Sequence, residues 1–253
     1  VLVTGGSGWL SQFLSHALLP QCIPPFPDSN SSILLHWIPA AHRHCLDLCD
    51  AAAVDTLIQK LRPDVILHTA ALSAPVVCHR DPLHAHAVNC PESLFRAVRT
   101  HVPDCLFVFT STDMVYDGEH APYAADECTA EPVNVYGETK LAFEHLVRKL
   151  RYGAVLRLRP AYQYQPVGCK FLEWLYGAYR RRECVGLKQR EVRSFVYVQD
   201  VVAVVLGLLD SYFMEEKRGQ LWGTEAVGSQ GLVLNVGGPQ ALSRLDVARA
   251  LCQ

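Results

Sequence analysis

A tyrosine and a lysine stand four residues apart in the segment NVYGETK, at positions 134 to 140. In a helix, Tyr136 and Lys140 lie one turn apart on the same face. A phenol with an ordinary pKa near ~10 is a poor acid–base catalyst at neutral pH, but a lysine ammonium beside it lowers that pKa. Such a tyrosine donates a proton to a carbonyl oxygen while a hydride reaches the carbon. The spacing alone is weak evidence, because a chain of this composition is expected to contain roughly 0.25 such Tyr–Lys pairs by chance.

A third candidate residue, which has a hydroxyl group, comes from the segment TSTDMVYDG, at positions 110 to 118. Thr112 is the last hydroxyl residue before the loop that follows a predicted strand, and it is placed to hydrogen-bond a substrate carbonyl. The alternative is that Thr112 only caps the strand and that Tyr136 packs as a half-buried aromatic residue. The order of the three residues on their predicted elements favours the chemical role.

A cluster of glycines joins the first predicted strand to the first predicted helix in TGGSGWLS, residues 4 to 11. Glycine allows a tight turn there, and the N-terminus of the helix offers free N–H groups to a pyrophosphate. Gly5 and Gly8 follow the pattern T-G-x-x-G-x-x-G, with Ser11 in place of the last glycine. The turn predicts a dinucleotide site in which the serine pushes the helix outward and weakens cofactor binding.

Predicted strands and helices alternate along the chain, and the strands are continuous apolar runs, which is typical of a parallel sheet covered on both faces. The fold class is therefore α/β, a doubly wound parallel sheet of the Rossmann type with a small C-terminal substrate lobe. We expect the NAD(P)-binding domain to cover residues 1–160 and a mixed region, mainly the substrate-binding lobe, to cover 161–253. Predicted strands are 1–4, 32–38, 44–48, 64–71, 105–112, 153–159, 193–198 and 232–238, and predicted helices are 8–19, 50–61, 82–100, 135–150 and 171–182. Asp50 and Asp200 are predicted helix caps, and SRLD at 243–246 predicts a capping box.

The composition limits the classes of partner. Half of the 253 residues are hydrophobic, and the net charge is −2. A nucleic acid or an anionic membrane surface requires concentrated positive charge, so neither is expected. The apolar run at 201–209 is far shorter than the ~20 residues of a membrane span. The chain begins at Val1 within a predicted strand and ends within a predicted helix, so we interpret it as a fragment.

Ten cysteines are scattered along the chain without a C-x-x-C motif. This distribution favours free thiols in a reducing compartment, and the expected localisation is cytoplasmic. A zinc site formed by His42, His44, Cys45 and Cys49 is a weaker alternative, because its spacing matches no common metal pattern. No metal is expected.

The segments VLVTGGSGWLS, DVILHTAA, FTSTDMVYDG and NVYGETKLAFE together resemble the extended short-chain dehydrogenase/reductases. Within that family they are most similar to dTDP-4-dehydrorhamnose reductases and almost as similar to the regulatory β subunit of methionine adenosyltransferase. The resemblance implies that Thr112, Tyr136 and Lys140 form the catalytic triad. It also implies a cofactor site at the glycine turn (Gly5, Ser7, Gly8, Trp9, Leu10), beside the adenine (Asp47, Leu48) and under the cofactor (Thr69, Ala70, Ala71), with Tyr136 and Lys140 reaching the ribose.

The second predicted strand and its extension, SILLHWIPAAHRH, contain no acidic residue. An NAD-specific site usually has a carboxylate there for the ribose hydroxyls, and that carboxylate would repel a 2′-phosphate. Arg43 lies a few residues further on, where it could pair with the phosphate or point to solvent. The sequence thus predicts NADP (NADPH) in preference to NAD.

Two functions remain open. The first is an NAD(P)H-dependent short-chain oxidoreductase that reduces a keto group on a nucleotide-linked sugar, alone or as a homodimer. The second is a non-catalytic, NADP-binding regulatory subunit. The three candidate catalytic residues favour the enzyme, although a regulatory relative can retain them.

Overall fold

The computed structural model describes residues 1–6, 8–18, 46–125, 130–159, 161–162, 170–187, 191–223 and 231–251. Its strands are β1 (Leu2–Thr4), β2 (Val65–His68), β3 (Leu106–Thr112), β4 (Tyr152–Leu158), β5 (Ala161–Tyr162), β6 (Val192–Arg193), β7 (Val196–Tyr197), β8 (Leu232–Val236) and β9 (Leu242–Ser243). Its helices are α1 (Trp9–Leu18), α2 (Ala51–Leu61), α3 (Pro75–Arg80), α4 (Pro82–Asn89), α5 (Glu92–His101), α6 (Val135–Val147), α7 (Lys170–Arg181), α8 (Val198–Phe213), α9 (Glu215–Trp222) and α10 (Arg244–Leu251).

The main sheet is parallel, in the order β1-β2-β3-β4-β8. Every residue of β2 and β3 is buried. Burial on both faces explains why these strands are continuous apolar runs rather than alternating ones. The predicted α/β fold with a Rossmann-type sheet is confirmed.

Helices cover both faces of this sheet. On one face α1 and α8 supply buried residues such as Leu14, Val201 and Val205. On the other face α2, α5 and α6 supply buried residues such as Ile58 and Phe143. The apolar run at 201–209 is thus the buried part of α8. No described helix has both the length and the apolar character needed to cross a bilayer.

Two of the predicted helix caps form as expected. The Asp50 carboxylate accepts a hydrogen bond from the Ala53 backbone N–H at 3.0 Å, at the start of α2. Before α10, the Ser243 N–H donates to the Asp246 carboxylate at 2.9 Å, and the Asp246 N–H donates to the Ser243 hydroxyl at 3.1 Å. This reciprocal pair is the predicted capping box.

Four sequence-based predictions of local structure are wrong. The helix expected over 82–100 is two helices, because Pro91 has no N–H and disfavours a helical conformation at the residue before it. The single strand expected over 193–198 is two short strands, β6 and β7. Residues 46–48 of the third predicted strand are not extended, because the chain turns between Asp47 and Asp50, whose N–H donates to the Asp47 carbonyl at 3.0 Å. Asp200 lies in the first turn of α8, and Tyr197 occupies the cap position. The predicted strand at 32–38 lies outside the described residues.

The C-terminal part of the chain contributes to more than one sheet. Strands β5 and β7 form a small parallel sheet, and β6 and β9 form a small antiparallel one. In contrast, α8 and β8 join the main sheet and its core, although both lie beyond residue 160. The division into a cofactor domain and a substrate lobe therefore stays a prediction, and these two elements belong structurally with the first.

Candidate active site

A tight turn that contains Gly5, Gly6 and Gly8, the glycine turn, joins β1 to α1. Gly5 has a φ of +70°, a conformation that favours glycine, and its carbonyl accepts from the Gly8 N–H at 2.8 Å. A Cβ atom on Gly5 would lie 2.7 Å from the backbone nitrogen of Ala70. The glycine turn therefore packs directly against the chain that leaves β2. Trp9 and Leu10 follow it as the first residues of α1, where the N–H groups are free to meet an anion.

Ser11 is buried at the junction of α1 and the end of β2, with 1% of its surface exposed. Its hydroxyl oxygen lies 2.8 Å from the Gly5 carbonyl oxygen and 2.6 Å from the Thr69 hydroxyl oxygen. The Thr69 hydroxyl oxygen in turn lies 2.7 Å from the Thr4 carbonyl oxygen. Since each hydroxyl has one hydrogen, two of these three hydrogen bonds form at a time. The contacts place the serine predicted to push the helix outward between α1 and the segment that follows β2. Its effect on cofactor affinity stays a prediction.

The other candidate cofactor residues divide into two groups. Thr69, Ala70 and Ala71 follow β2 and lie against the glycine turn, where the Ala70 N–H donates weakly to the Thr4 hydroxyl at 3.4 Å. Asp47 and Leu48 precede α2, and Leu48 packs against the hydrophobic cluster of that face. Outside the described residues are Ser7 and Arg43, and also His42, His44 and Cys45 of the zinc hypothesis.

Within the described ranges, no cluster of His, Cys, Asp and Glu could hold a metal ion. The described cysteines are free thiols, at positions 49, 78, 90, 105 and 184.

The end of β3 and the start of α6 meet at the candidate catalytic residues. Thr112 ends β3, and its hydroxyl oxygen accepts from the Met114 N–H at 3.2 Å, which caps a short 3₁₀ turn. Tyr136 is the second residue of α6, after the N-cap Asn134. A Cβ atom on Gly137 would collide with the Met114 carbonyl oxygen. The first turn of α6 therefore lies directly on the chain that leaves β3, two residues beyond Thr112.

The pKa of Tyr136 is raised above its ordinary value. Burial of the phenol is the main cause, and the charges of Cys78 and Asp113 add to the increase. The expectation that Lys140 lowers this pKa is therefore wrong for this structure. The Tyr136 phenol is shielded from solvent, and the nearby charges that raise its pKa are negative.

Lys140 lies one turn further along α6 and is fully buried, with its Nζ 4.1 Å from the centre of the Phe109 ring. Burial lowers the pKa of Lys140 to about 7, and the carboxylate of Glu144 opposes this shift. His68 is also buried, and its Nδ1 lies 2.7 Å from the Thr4 hydroxyl. Burial, together with Lys140, lowers the pKa of His68 to about 3, so this histidine is neutral.

Sequence reasoning missed an ion pair at the end of β3. The Asp113 carboxylate lies 3.2 Å from Nη1 of Arg193, on β6. Burial raises the pKa of Asp113, while Arg193 and Arg159 act to lower it. The pair ties the 3₁₀ turn beyond Thr112 to the C-terminal part of the chain. The sequence feature that could have indicated this ion pair is an acidic residue directly after the last residue of a buried strand.

Two residues of the α6 segment were also missed, together with a partner on β4. Asn134 accepts from the Gly137 N–H at 2.9 Å, and an Asn three residues before a Gly was a readable N-cap signal. Glu144 stands four residues beyond Lys140, so it could have been placed on the same face of the helix. Its partner on β4 could not be identified from spacing.

A family model described as the RmlD substrate binding domain matches residues 1–251. The chain belongs to this family. Methionine adenosyltransferase 2 subunit beta of Xenopus tropicalis is 32% identical over 168 residues, which are 65% of this chain and 50% of that protein. dTDP-4-dehydrorhamnose reductase of Shigella flexneri is 31% identical over 143 residues, 55% of this chain and 46% of that protein. The chain thus spans about half the length of these curated relatives.

Solved structures confirm the fold of this RmlD-family chain. dTDP-4-dehydrorhamnose reductase from Bacillus anthracis, in complex with NADP, matches with a TM-score of 0.75 at 21% identity. The match covers 99% of this chain and 78% of that one. The predicted resemblance to dTDP-4-dehydrorhamnose reductases and to the β subunit of methionine adenosyltransferase is confirmed by the family model and the curated relatives.

In this RmlD-family chain, we expect Gly137→Ala to disturb the contact between α6 and the end of β3. The added methyl group meets the Met114 carbonyl oxygen, so the helix or the 3₁₀ turn must move. Overpacking of this kind typically costs about 1–3 kcal/mol, which a urea unfolding curve measures. The matched control is Gly207→Ala on α8, where a Cβ meets nothing within 4 Å. That variant should gain up to about 1 kcal/mol, and an equal gain at Gly137 would disprove the close contact.

The buried Lys140 predicts a specific pH dependence of stability. Its pKa is about 7 in the folded protein and 10.5 in the unfolded chain. Between these values the unfolded chain binds more protons, so this residue's contribution makes the free energy of unfolding rise with pH. Between pH ~7 and ~9, the wild type should gain about 2 kcal/mol relative to Lys140→Met. Cys90, whose pKa is raised to about 11, is present in both proteins and cancels in the comparison. A difference independent of pH would show that Lys140 is not desolvated.

Proposed function

We propose that the chain is an NAD(P)H-dependent reductase of a keto group on a nucleotide-linked sugar. The observation that carries this proposal is the contact of α6 with the end of β3. It brings Tyr136 and Lys140 to the edge of the sheet where Thr112 ends its strand and where the glycine turn lies. Ligands of doubly wound sheets bind at this carboxyl edge.

The residues of the glycine turn suit a dinucleotide. The free N–H groups at the start of α1 would hold the pyrophosphate, and Gly5 forms the turn that brings the chain from β1 to that helix end. Among the described residues, the buried Nε1 of Trp9 has no hydrogen-bond partner, so a donor is available beside the turn. When bound, the dinucleotide supplies the hydride.

Each of the three catalytic candidates has one role in this proposal. Tyr136 is protonated at neutral pH and donates that proton to the carbonyl oxygen of the substrate, although its raised pKa makes it a weaker acid than an ordinary phenol. The Thr112 hydroxyl oxygen accepts from the Met114 N–H, and its hydrogen makes a long hydrogen bond of 3.4 Å to the Asp113 carboxylate. In the proposed reaction that hydrogen turns to the substrate carbonyl oxygen and orients it. Lys140 holds a ribose hydroxyl while it is charged, next to Tyr136.

The part of the chain beyond residue 160 that does not join the main sheet is the proposed substrate lobe. The Asp113–Arg193 pair connects it to the strand end that carries Thr112. A nucleotide sugar would lie between the two parts. We further propose that the protein acts in the cytoplasm, and that it associates at most with itself.

A non-catalytic regulatory subunit is the second candidate. It is supported by the 32% identity to methionine adenosyltransferase 2 subunit beta from Xenopus tropicalis. A regulatory subunit would co-purify from its native source with a catalytic protein in a fixed ratio. It would bind the dinucleotide without turning over any keto sugar.

We expect Tyr136→Phe to lower turnover of nucleotide-4-keto sugars with NADPH by ~10²-fold or more, because it removes the proton donor and keeps the ring. NADPH affinity should change little. The assay uses full-length protein and a panel of such sugars. Near-normal turnover in the variant would remove Tyr136 from the mechanism, and no turnover in the wild type would favour the regulatory subunit.

We also expect NADPH to bind more tightly than NADH, because no carboxylate in the second predicted strand repels a 2′-phosphate. Arg43→Ala should narrow the difference by removing a charge-assisted partner of that phosphate. Calorimetric titration of wild type and variant with each cofactor measures the difference in affinity between NADPH and NADH. Tighter binding of NADH would contradict the preference, and an unchanged difference in the variant would leave Arg43 without a role.

A further inference from the structure

A fully buried carboxylate connects α6 to two strands of the sheet. Glu144 has 0% of its surface exposed. Its Oε2 accepts from Nη2 of Arg157 at 2.7 Å and from Nε at 3.1 Å, and its Oε1 accepts from the same Nε at 3.2 Å. The Ser111 hydroxyl donates to Oε1 as well. Glu144 thus joins α6 to β4 and to the residue immediately before Thr112.

The arginine of this pair extends the network to the loop beyond β3. Nη1 of Arg157 donates to the Tyr116 hydroxyl at 2.7 Å, and that hydroxyl donates to the side-chain oxygen of Asn235 at 2.7 Å. The Asn235 amide donates to the Tyr123 carbonyl at 2.9 Å. The chain on both sides of Thr112 is therefore fixed to β4 and β8 by hydrogen bonds between buried or partly buried side chains.

Stability alone is a poor reason for such a pair. Removing two charges from water costs several kcal/mol for each ion, and well-packed apolar residues often replace a buried ion pair without loss. Here every strong donor and acceptor is satisfied, which specifies one arrangement of the elements it joins. Those elements are α6, β3 and β4, and the first two carry Thr112, Tyr136 and Lys140.

Glu144 is also the negative charge next to Lys140. The two residues are four apart on α6, so they share one face, and both are fully buried. From β2, the neutral His68 faces Lys140, and from β3 the Phe109 ring does. Tyr136, on the preceding turn, keeps its proton. The Glu144 carboxylate is thus the charge among these groups that favours the ammonium form of Lys140.

We propose that Glu144 is a positioning residue of the candidate site. Held by Arg157 and Ser111, its carboxylate keeps Lys140 charged beside Tyr136 and fixes α6 against the strand end that carries Thr112. The effect on turnover rests on the proposed reductase function, whereas the effect on Lys140 does not.

The test uses Glu144→Gln together with Arg157→Met, because Glu144→Gln alone would leave a buried arginine without its charge partner. The free energy of unfolding is measured against pH for each protein and for the same protein with Lys140→Met. The pH dependence of the difference between the two gives the titration midpoint of Lys140 in the folded state. NADPH affinity and kcat are measured over the same pH range. The control is Glu138→Gln, which removes an exposed carboxylate from the same helix.

We expect the midpoint of Lys140 to fall in the double variant, by less than the roughly one pH unit that follows from losing a lone opposite charge, because the positive charge of Arg157 is removed together with the carboxylate. The pH above which NADPH affinity and kcat decline should fall with it. Glu138→Gln should leave all three unchanged. An unchanged midpoint in the double variant would overturn the proposal, even if turnover fell. If the midpoint shifts but the wild type binds NADPH and reduces no keto sugar, the positioning role of Glu144 stands and the proposed reductase function is rejected.

Discussion

The contact between Gly137 and the Met114 carbonyl determines where α6 lies, and the rest of the site depends on that position. With no side chain at 137, the first turn of the helix rests on the chain that leaves β3. Residues four apart then face the sheet in succession, first Tyr136, then Lys140 and then Glu144. Lys140 meets the Phe109 ring, and Glu144 meets Arg157. One backbone contact thereby aligns three consecutive turns of helix with β3 and β4.

The sequence predicted those parts of the fold that depend on local patterns. Continuous apolar runs indicated the buried strands β2 and β3, because a parallel sheet covered on both faces has no polar side. The capping box before α10 formed because Ser243 and Asp246 satisfy each other's N–H groups without help from the rest of the fold. Glycines between β1 and α1 indicated a tight turn, and the structure has it at Gly5.

Properties that arise from tertiary packing could not be predicted in the same way. Spacing placed Tyr136 and Lys140 on one face, but it could not show that Lys140 is fully buried and Tyr136 partly buried, and burial reverses the expected direction of the tyrosine pKa. The partner of Glu144 is thirteen residues away on another element, and no local pattern encodes that pairing. The hydroxyl of Ser11 likewise found partners at Thr69 and Gly5 that only the folded chain brings together.

Burial raises the pKa of Tyr136 and lowers the pKa of Lys140. Each of these shifts favours the uncharged form of the side chain. The raised pKa makes Tyr136 a weaker proton donor, and the lowered pKa of Lys140 removes the charge that a ribose-binding ammonium needs. A negative group close to the lysine favours its ammonium form, whereas one close to the tyrosine would raise the phenol pKa still further. Glu144 lies one turn beyond Lys140 and two turns beyond Tyr136 on the same face of α6, so its charge acts mainly on the lysine. Its full set of hydrogen bonds with Arg157 and Ser111 keeps that charge in the interior.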